Sequence, residues 1–467
     1  MWFWSSLISW KSWKEVLEAE VKLKRKGAKI MIDPIEAYYK VMELVSNYSS
    51  TKKVLIEEAV DYTLANDLIA KENIPSFERS PYDGYAFRAE EKKKASKQSP
   101  VVFDIAMTLP AGSKPEKVTG EEKAVKIMTG APLPDEYDCV IPFEKVKVEG
   151  NQVFLHNTLE SGENVVPCGE DIKVGEFLFN AGKLLSSRDI GVISSLGYRD
   201  IEVIKPPKIG IIVTGNELVE LDESLQKGEI RNSNRYLLTT SLKELNIENI
   251  KYYGIVEDTK ENLKEVFTKA IEEVDMLLTT GGVSVGEYDL IPEVLEELGA
   301  NRIFWKINAR PGTPLHVAEF NKTPVFSLSG NPAALYASYK IYVERAILKM
   351  LGLIEGKDFY ENAVKGFLGG EIAKKSVNQW RFLRARGYIE KGKLWCYETK
   401  KEKPGIISSL AISNGFILLK PGDQDLNRGE LVYFIPFDND FGAKSLFKTF
   451  KLGGIVDGTS CIYSGKI

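Results

Sequence analysis

The sequence predicts a multidomain chain of mixed class, α/β plus β, with a central α/β domain and smaller β domains on either side of it. Three observations predict this. At 467 residues the chain exceeds what one hydrophobic core supports. Between Val101 and Leu155, short apolar runs are broken by Gly, Pro and Asn, the pattern of a small β domain. From Ile209 to Leu351, strand-like runs alternate with helical ones, which implies a parallel sheet with right-handed crossovers and helices on both faces.

Composition narrows the class of partner. The chain is 43% hydrophobic and 27% charged, ordinary for a soluble globular protein, and its net charge of -4 argues against nonspecific nucleic-acid binding, which needs a basic surface. The four cysteines lie far apart and form no C-x-x-C pair, as expected in a reducing, cytoplasmic compartment. Only His156 and His316 are present, so a metal would rest on oxygen ligands, which points to a hard ion such as magnesium. Residues 1–30 open with Met-Trp-Phe-Trp and turn basic from Lys22 to Lys29. They lack the ~20 apolar residues of a spanning helix and the layout of a secretory signal, so they are expected to be an extension, with the folded body starting near Met31.

In chain order, Pro34 sits at the first position of a helix whose apolar face is Ala37, Tyr38, Val41, Met42, Leu44 and Val45. A segment from Leu55 to Leu68 leads to a shaped loop, Asn73 to Phe87, with Asp83-Gly84 as its turn. Ile127 to Pro134 is a turn of small groups in which the Thr129 hydroxyl can donate to an oxyanion. Gly162 to Gly175 places Asp171 between two glycine turns. Ser187 to Leu196 reads as a helix, and Lys205-Pro-Pro-Lys208 as a linker.

Then the alternation begins. Ile209 to Val213 is a strand ending in Thr214-Gly-Asn-Glu-Leu218, and Asn234 to Leu245 a helix. Ile250 to Ile255 is a strand with Asp258 just past its end, followed by the helix Leu263 to Glu273. Met276 to Leu278 is a buried strand broken by Thr279-Thr-Gly-Gly282. After that loop Leu290, Ile291, Val294, Leu295 and Leu298 share one helical face, and Gly299 stops the helix. Ile303 to Ile307 and Pro324 to Leu328 are further strands, and Ser329-Gly-Asn-Pro332 opens a long helix to Leu351. Past Lys357, runs at Phe382 to Tyr388, Lys393 to Tyr397, Phe416 to Lys420 and Leu431 to Ile435 predict a small C-terminal β barrel or sheet, followed by a tail.

A strand, a glycine turn and a helix start present free N–H groups and a positive dipole end to an anion. Asp289 beside such a site would repel an anion unless a cation lies between them. The same residues also fit a plain strand-to-helix turn with a solvated aspartate. In open sheets of this kind, ligands lie beyond the carboxyl ends of the strands. Glu217, Asp258, the 279–286 loop, Lys306 and Ser329-Gly-Asn331 all fall there, although strand-end carboxylates also serve as helix caps.

Taken together, Ser80-Pro-Tyr-Asp-Gly-Tyr-Ala86, Met128-Thr-Gly-Ala-Pro132, Gly169-Glu-Asp-Ile172, Thr214-Gly-Asn-Glu-Leu218, Thr280-Gly-Gly-Val-Ser-Val-Gly286, Arg310-Pro-Gly312 and Gly330-Asn-Pro332 closely resemble, in this order, the molybdopterin molybdenumtransferase family, the MoeA and gephyrin E-domain proteins. The match spans roughly Met31 to Pro436. The resemblance implies an elongated four-domain subunit in a homodimer, with the active cleft between the α/β domain of one subunit and the β domain of the other. It divides the chain into an extension (1–30), a discontinuous helical domain (31–68 and 170–205), an inserted β domain (69–169), the doubly wound molybdopterin-binding domain (206–354), a C-terminal β domain (355–437) and a tail (438–467).

The activity implied is insertion of molybdate or tungstate into adenylylated molybdopterin, with Mg2+ and release of AMP. By position, Asp83, Thr129 and Asp171 match one side of the cleft, and Glu217, Asp258, Asp289, Lys306 and Arg310 the other. Glu217, Asp258 and Asp289 would hold the cation, and Lys306 and Arg310 the oxyanion. Thr214, Gly215, Gly281, Gly282, Ser284, Gly286, Gly312, Ser329, Gly330, Asn331 and Pro332 would bind the pterin nucleotide. Three positions depart from the family pattern: Asn216 for Asp, Thr313 for Lys and Ser329 for Pro. An adenylyltransferase sharing the α/β domain, and a non-catalytic scaffold of the same fold, are the competing readings. Transient contact with the adenylyltransferase or with acceptor molybdoenzymes is a further expectation.

Overall fold

A tight hairpin decides the topology of the central sheet. Asn321 and Lys322, at φ 50° and 68°, turn His316–Phe320 back onto Thr323–Leu328, with Phe320 opposite Thr323. Two turn residues at positive φ match the twist of an antiparallel pair, whereas a helical crossover yields a parallel one.

The computed structural model describes residues 31–438 except 49, 93, 94, 97, 159, 284–289, 374–377, 401, 402, 404, 423 and 424. The chain forms two compact units, residues 50–204 and the remainder. In the latter, the central sheet contains β1 (Ile209–Thr214), β2 (Ile250–Val256), β3 (Met276–Thr280), β4 (Asn301–Trp305), β5 (His316–Phe320) and β6 (Thr323–Leu328), in the order β2-β1-β3-β6-β5-β4. The first four in that order are parallel, and β5 and β4 are antiparallel additions. The expected wholly parallel sheet is thus corrected to a mixed one. The hairpin is the reason, and β5 is a strand not expected from the sequence. Two antiparallel steps leave β4 running in the same direction as β6, so its carboxyl end lies on the same rim as those of β1, β2, β3 and β6.

Helices α1 (Ser233–Glu244), α2 (Lys260–Glu273), α3 (Ile291–Glu297) and α4 (Pro332–Ser338) cover both faces. Ile212, Leu277 and Val325 point to one face and pack with Leu263, Phe267 and Ile271 of α2 and Val294 and Leu295 of α3. Burying a side chain such as Phe267 fully is worth roughly 1.5–3 kcal/mol. The alternate residues Ile211, Val213, Leu278 and Phe326 are fully buried on the opposite face, where α1 lies on β1 and α4 on β6. After α4 the long helix passes through a π-helical turn, Tyr339–Val343, before Glu344–Met350.

The helix Pro34–Leu44 starts where Asp33 accepts from the Ile35 N–H at 2.8 Å. It packs within the unit that holds the central sheet, where the Tyr38 hydroxyl donates to Glu361 at 3.0 Å and the Tyr342 hydroxyl donates to the Pro34 carbonyl at 3.3 Å. Further along this unit, Trp380–Glu390, Lys393–Glu398, Val364–Leu368, Leu431–Pro436 and Gly415–Leu419 pair in turn, and the last closes on the first. This is the expected C-terminal β barrel, filled by Leu383, Ile417 and Phe434.

Within the unit 50–204, six strands form one sheet from Gly84–Phe87, Val101–Leu109, Lys123–Ile127, Cys139–Pro142, Lys147–Glu149 and Gln152–Leu155. Phe87, Phe103 and Val153 fill one core, and Ala86, Val125 and Val140 another. Thr51–Leu55 pairs with Asp200–Ile204 beside the helix Ser187–Ser195, so that Val54, Leu64, Ile193 and Val203 share a separate core. Among the described residues no helix is long and apolar enough to cross a membrane.

Candidate active site

The carboxyl rim of the central sheet is a place where backbone meets backbone. Thr214 lies opposite Val256, Val213 opposite Thr280, and Thr280 opposite Leu328, so β1, β2, β3 and β6 end together. Gly281 follows at φ 96°, its N–H donating to the Leu328 carbonyl at 3.2 Å. A Cβ on Gly281 would stand 2.3 Å from the Thr214 carbonyl oxygen, so a residue with a side chain cannot occupy this position unless β1 and β3 separate. One on Gly330 would meet only the Gly281 Cα, at 3.7 Å. Thr214, Gly281, Gly282, Ser329 and Gly330 therefore converge.

Asn234, in the first turn of α1, holds these loops together. Its Nδ2 donates to Thr280 Oγ1 and to the Gly330 carbonyl, both at 2.8 Å. A carbonyl can only accept, which fixes the orientation of the carboxamide. Asn234 Oδ1 and Thr214 Oγ1 are buried without a hydrogen-bond partner. Orphaned polar atoms of this kind are rare in folded interiors and suit a ligand that supplies the missing bonds. Sequence reasoning missed Asn234, since Asn232-Ser-Asn234 signals only a helix start.

Beside the rim, a cleft of about 370 Å³ is lined by Gly215, Asn216, Leu218, Ile255, Glu257 and Thr259. Glu217 and Asp258 alternate with these lining residues in the loops after β1 and β2. Gly215, at φ 142°, leaves room for the Glu217 carboxylate, which would lie 2.9 Å from a Cβ there. Among the described residues no group of three or more His, Cys, Asp or Glu could hold a metal. A hard cation at Glu217 and Asp258 would rest on few protein oxygens, completed by ligand oxygens, which is how magnesium is commonly held. Asp289, Ser284 and Gly286 lie outside the described residues.

Lys306 follows β4 at φ 71° and starts a closed loop, in which its N–H donates to the Leu315 carbonyl at 2.8 Å and that of Ile307 to the Thr313 carbonyl at 3.0 Å. Arg310, exposed in this loop, pairs with Arg381 at the barrel edge. Gly312, at φ 104°, abuts α4, where a Cβ would lie 3.0 Å from Ser338 Oγ. The Thr313 hydroxyl donates to the Ala309 carbonyl. Ser329 Oγ accepts from the Asn331 N–H at 3.2 Å, a side-chain turn at the position where the family pattern has proline. Asn331 is the N-cap of α4, with Pro332 at its first position.

In the unit 50–204, Asp83 accepts from the Thr129 N–H at 2.7 Å and from the Thr129 hydroxyl at 2.9 Å. These bonds, the backbone one foremost, hold its carboxyl below the usual carboxylate range. Asp171 stands at the other end of the 73–87 loop, its N–H donating to the Ile74 carbonyl at 2.9 Å.

The mixed sheet and its glycine-walled rim define an α/β protein of the class whose ligands lie beyond the carboxyl ends of the strands. Comparison with known proteins takes this further. Residues 32–197 match the MoeA N-terminal region (domain I and II), 210–349 the probable molybdopterin binding domain, and 372–437 the MoeA C-terminal region (domain IV). The chain is 32% identical over 402 residues to a molybdopterin molybdenumtransferase of Staphylococcus epidermidis, covering 85% of this chain and 94% of that one. It is 30% identical over 416 residues to the Staphylococcus aureus protein of the same name, covering 89% and 98%. The crystal structure of a molybdopterin biosynthesis MoeA protein from Pyrococcus horikoshii superposes with a TM-score of 0.71 at 30% identity, covering 87% of this chain and 99% of the other. The chain belongs to the MoeA family of molybdopterin molybdenumtransferases.

Proposed function

We propose that the chain is a transferase of molybdenum cofactor biosynthesis that inserts molybdate, or tungstate, into adenylylated molybdopterin and releases AMP. The observation that carries this reading is the meeting of Thr214, Gly281 and Gly330 beside the Asn234 carboxamide, where the unpartnered Asn234 Oδ1 can accept from a ligand N–H, the Thr214 hydroxyl can donate to a ligand oxygen, and bare backbone lets a polar ligand approach. The flanking MoeA regions favour it over an adenylyltransferase built on the α/β domain alone.

In this reading the glycine loops bind the pterin nucleotide, with Gly215, Gly312, Ser284, Gly286 and Ser329 to Pro332 completing the cradle. Glu217, Asp258 and Asp289 hold Mg2+, which when bound neutralises phosphate charge. Lys306 offers a point charge and Arg310 a planar fork to the oxyanion. Asp83, Thr129 and Asp171 act from the β domain. The working form is a cytoplasmic homodimer, in transient contact with the adenylyltransferase or acceptor molybdoenzymes. Its domains are 31–68 with 170–205, 69–169, 206–354 and 355–437, between extensions at 1–30 and 438–467.

The test is to incubate purified protein with adenylylated molybdopterin, molybdate and Mg2+. AMP and metallated cofactor are expected in equal amounts, with both lost on chelation. Binding of the pterin without AMP above background would favour the scaffold reading.

A further inference from the structure

Trp305 is the last residue of β4, opposite His316 of β5, and its indole meets Val283, Lys306 and His316. Its Nε1 donates to the Val283 carbonyl at 3.2 Å. The ammonium of Lys306 stands 4.5 Å from the ring centroid. The His316 imidazole meets it edge to face, with centroids 6.4 Å apart and planes at 81°. His316 is fully buried, and burial keeps it neutral at physiological pH, so it brings no second positive charge near Lys306.

A lysine ammonium on a flexible stem has many rotamers, and contact with a ring face selects among them. The Val283 carbonyl is the described end of the turn that begins at Gly281. One rigid side chain therefore contacts both the lysine assigned to the oxyanion and the turn assigned to the pterin nucleotide. We propose that Trp305 is a positioning residue that holds Lys306 and the Gly281–Val283 turn in a fixed mutual geometry, so that the two substrates are presented to each other. The proposal rests on the transferase reading for what Lys306 and the turn bind. Its structural part, the tie between indole and turn, stands without that reading.

Two variants separate the contacts. Trp305→Phe keeps a ring face for Lys306 and loses the N–H donor, while Trp305→Leu loses both. Amide exchange at Gly281 to Val283 is expected to accelerate several-fold in both. The molybdate concentration for half-maximal AMP release is expected to rise roughly threefold to tenfold in Trp305→Leu only, with turnover at saturating molybdate alike in the two variants. Unchanged exchange in both, or an equal rise in molybdate requirement in both, overturns the proposal. A wild-type protein that releases no AMP sinks the transferase reading instead, and the exchange comparison then decides the role of Trp305 by itself.

Discussion

The carboxamide nitrogen of Asn234 lies 2.8 Å from Thr280 Oγ1 and donates equally closely to the Gly330 carbonyl, so one side chain from a helix start spans two strand-end loops. This bond crosses 46 residues of chain. The Thr280 hydroxyl, accepting from Asn234, is turned toward the Ser329 carbonyl at 3.4 Å, which draws the 329–331 loop into the same network.

Replacing Asn234 should therefore loosen the rim as a whole. Asn234→Ala removes both donors, and the cost of buried hydrogen-bonding groups left unpaired is about 1–3 kcal/mol. Asn234→Asp keeps the shape but sets a carboxylate oxygen against the Gly330 carbonyl, so it should cost at least as much. Urea unfolding monitored by far-UV circular dichroism measures both. If Asn234→Asp is as stable as wild type at neutral pH, the carboxamide does not tie the loops.

His316 gives the protein an acid-sensitive element. Burial, with a smaller contribution from Arg302, lowers its pKa from 6.5 to about 4. The folded state resists the proton that the unfolded state accepts, so between pH 6.5 and about 4 the unfolded chain binds more protons and stability falls as pH falls. The stabilisation is fully present above pH 6.5, and up to about 3 kcal/mol is lost by pH 4. His316→Phe preserves an aromatic edge against Trp305 and cannot titrate, so its urea midpoint should vary less over this window. Parallel pH profiles for wild type and variant would exclude His316 as the source.

What the residues disclosed follows from the range of the interactions. Glycines after apolar runs mark close backbone approach locally, so the rim loops were legible at Thr214-Gly215, Gly281-Gly282 and Gly330. The β5–β6 hairpin was not, because Asn321-Lys322 lacks the glycine that usually advertises two positive-φ residues. The long-range bonds of the helix Pro34–Leu44 leave no local signal either, since its partners Glu361 and Tyr342 lie 323 and 308 residues away from the atoms they bond. Asn234 carries an ordinary helix-start signal, and its reach to Gly330 is a tertiary fact with no local trace.

The glycines themselves are not equivalent, which yields a paired test. At Gly281 the backbone has φ 96° and an added Cβ falls 2.3 Å from the Thr214 carbonyl oxygen, a collision with main chain that no rotamer relieves. At Gly330 the added Cβ finds only an ordinary contact at 3.7 Å. Gly281→Ala should cost at least about 2 kcal/mol from strain and forced separation of β1 from β3, and should abolish binding of the pterin nucleotide. Gly330→Ala should stay within about 1 kcal/mol of wild type in stability, because it adds volume without overlap. Any loss of ligand affinity in Gly330→Ala then reports approach of the ligand to the backbone itself. Chemical denaturation with calorimetric titration of both variants reads the two effects apart, and equal stability of the two alanine variants would contradict the close approach at Gly281.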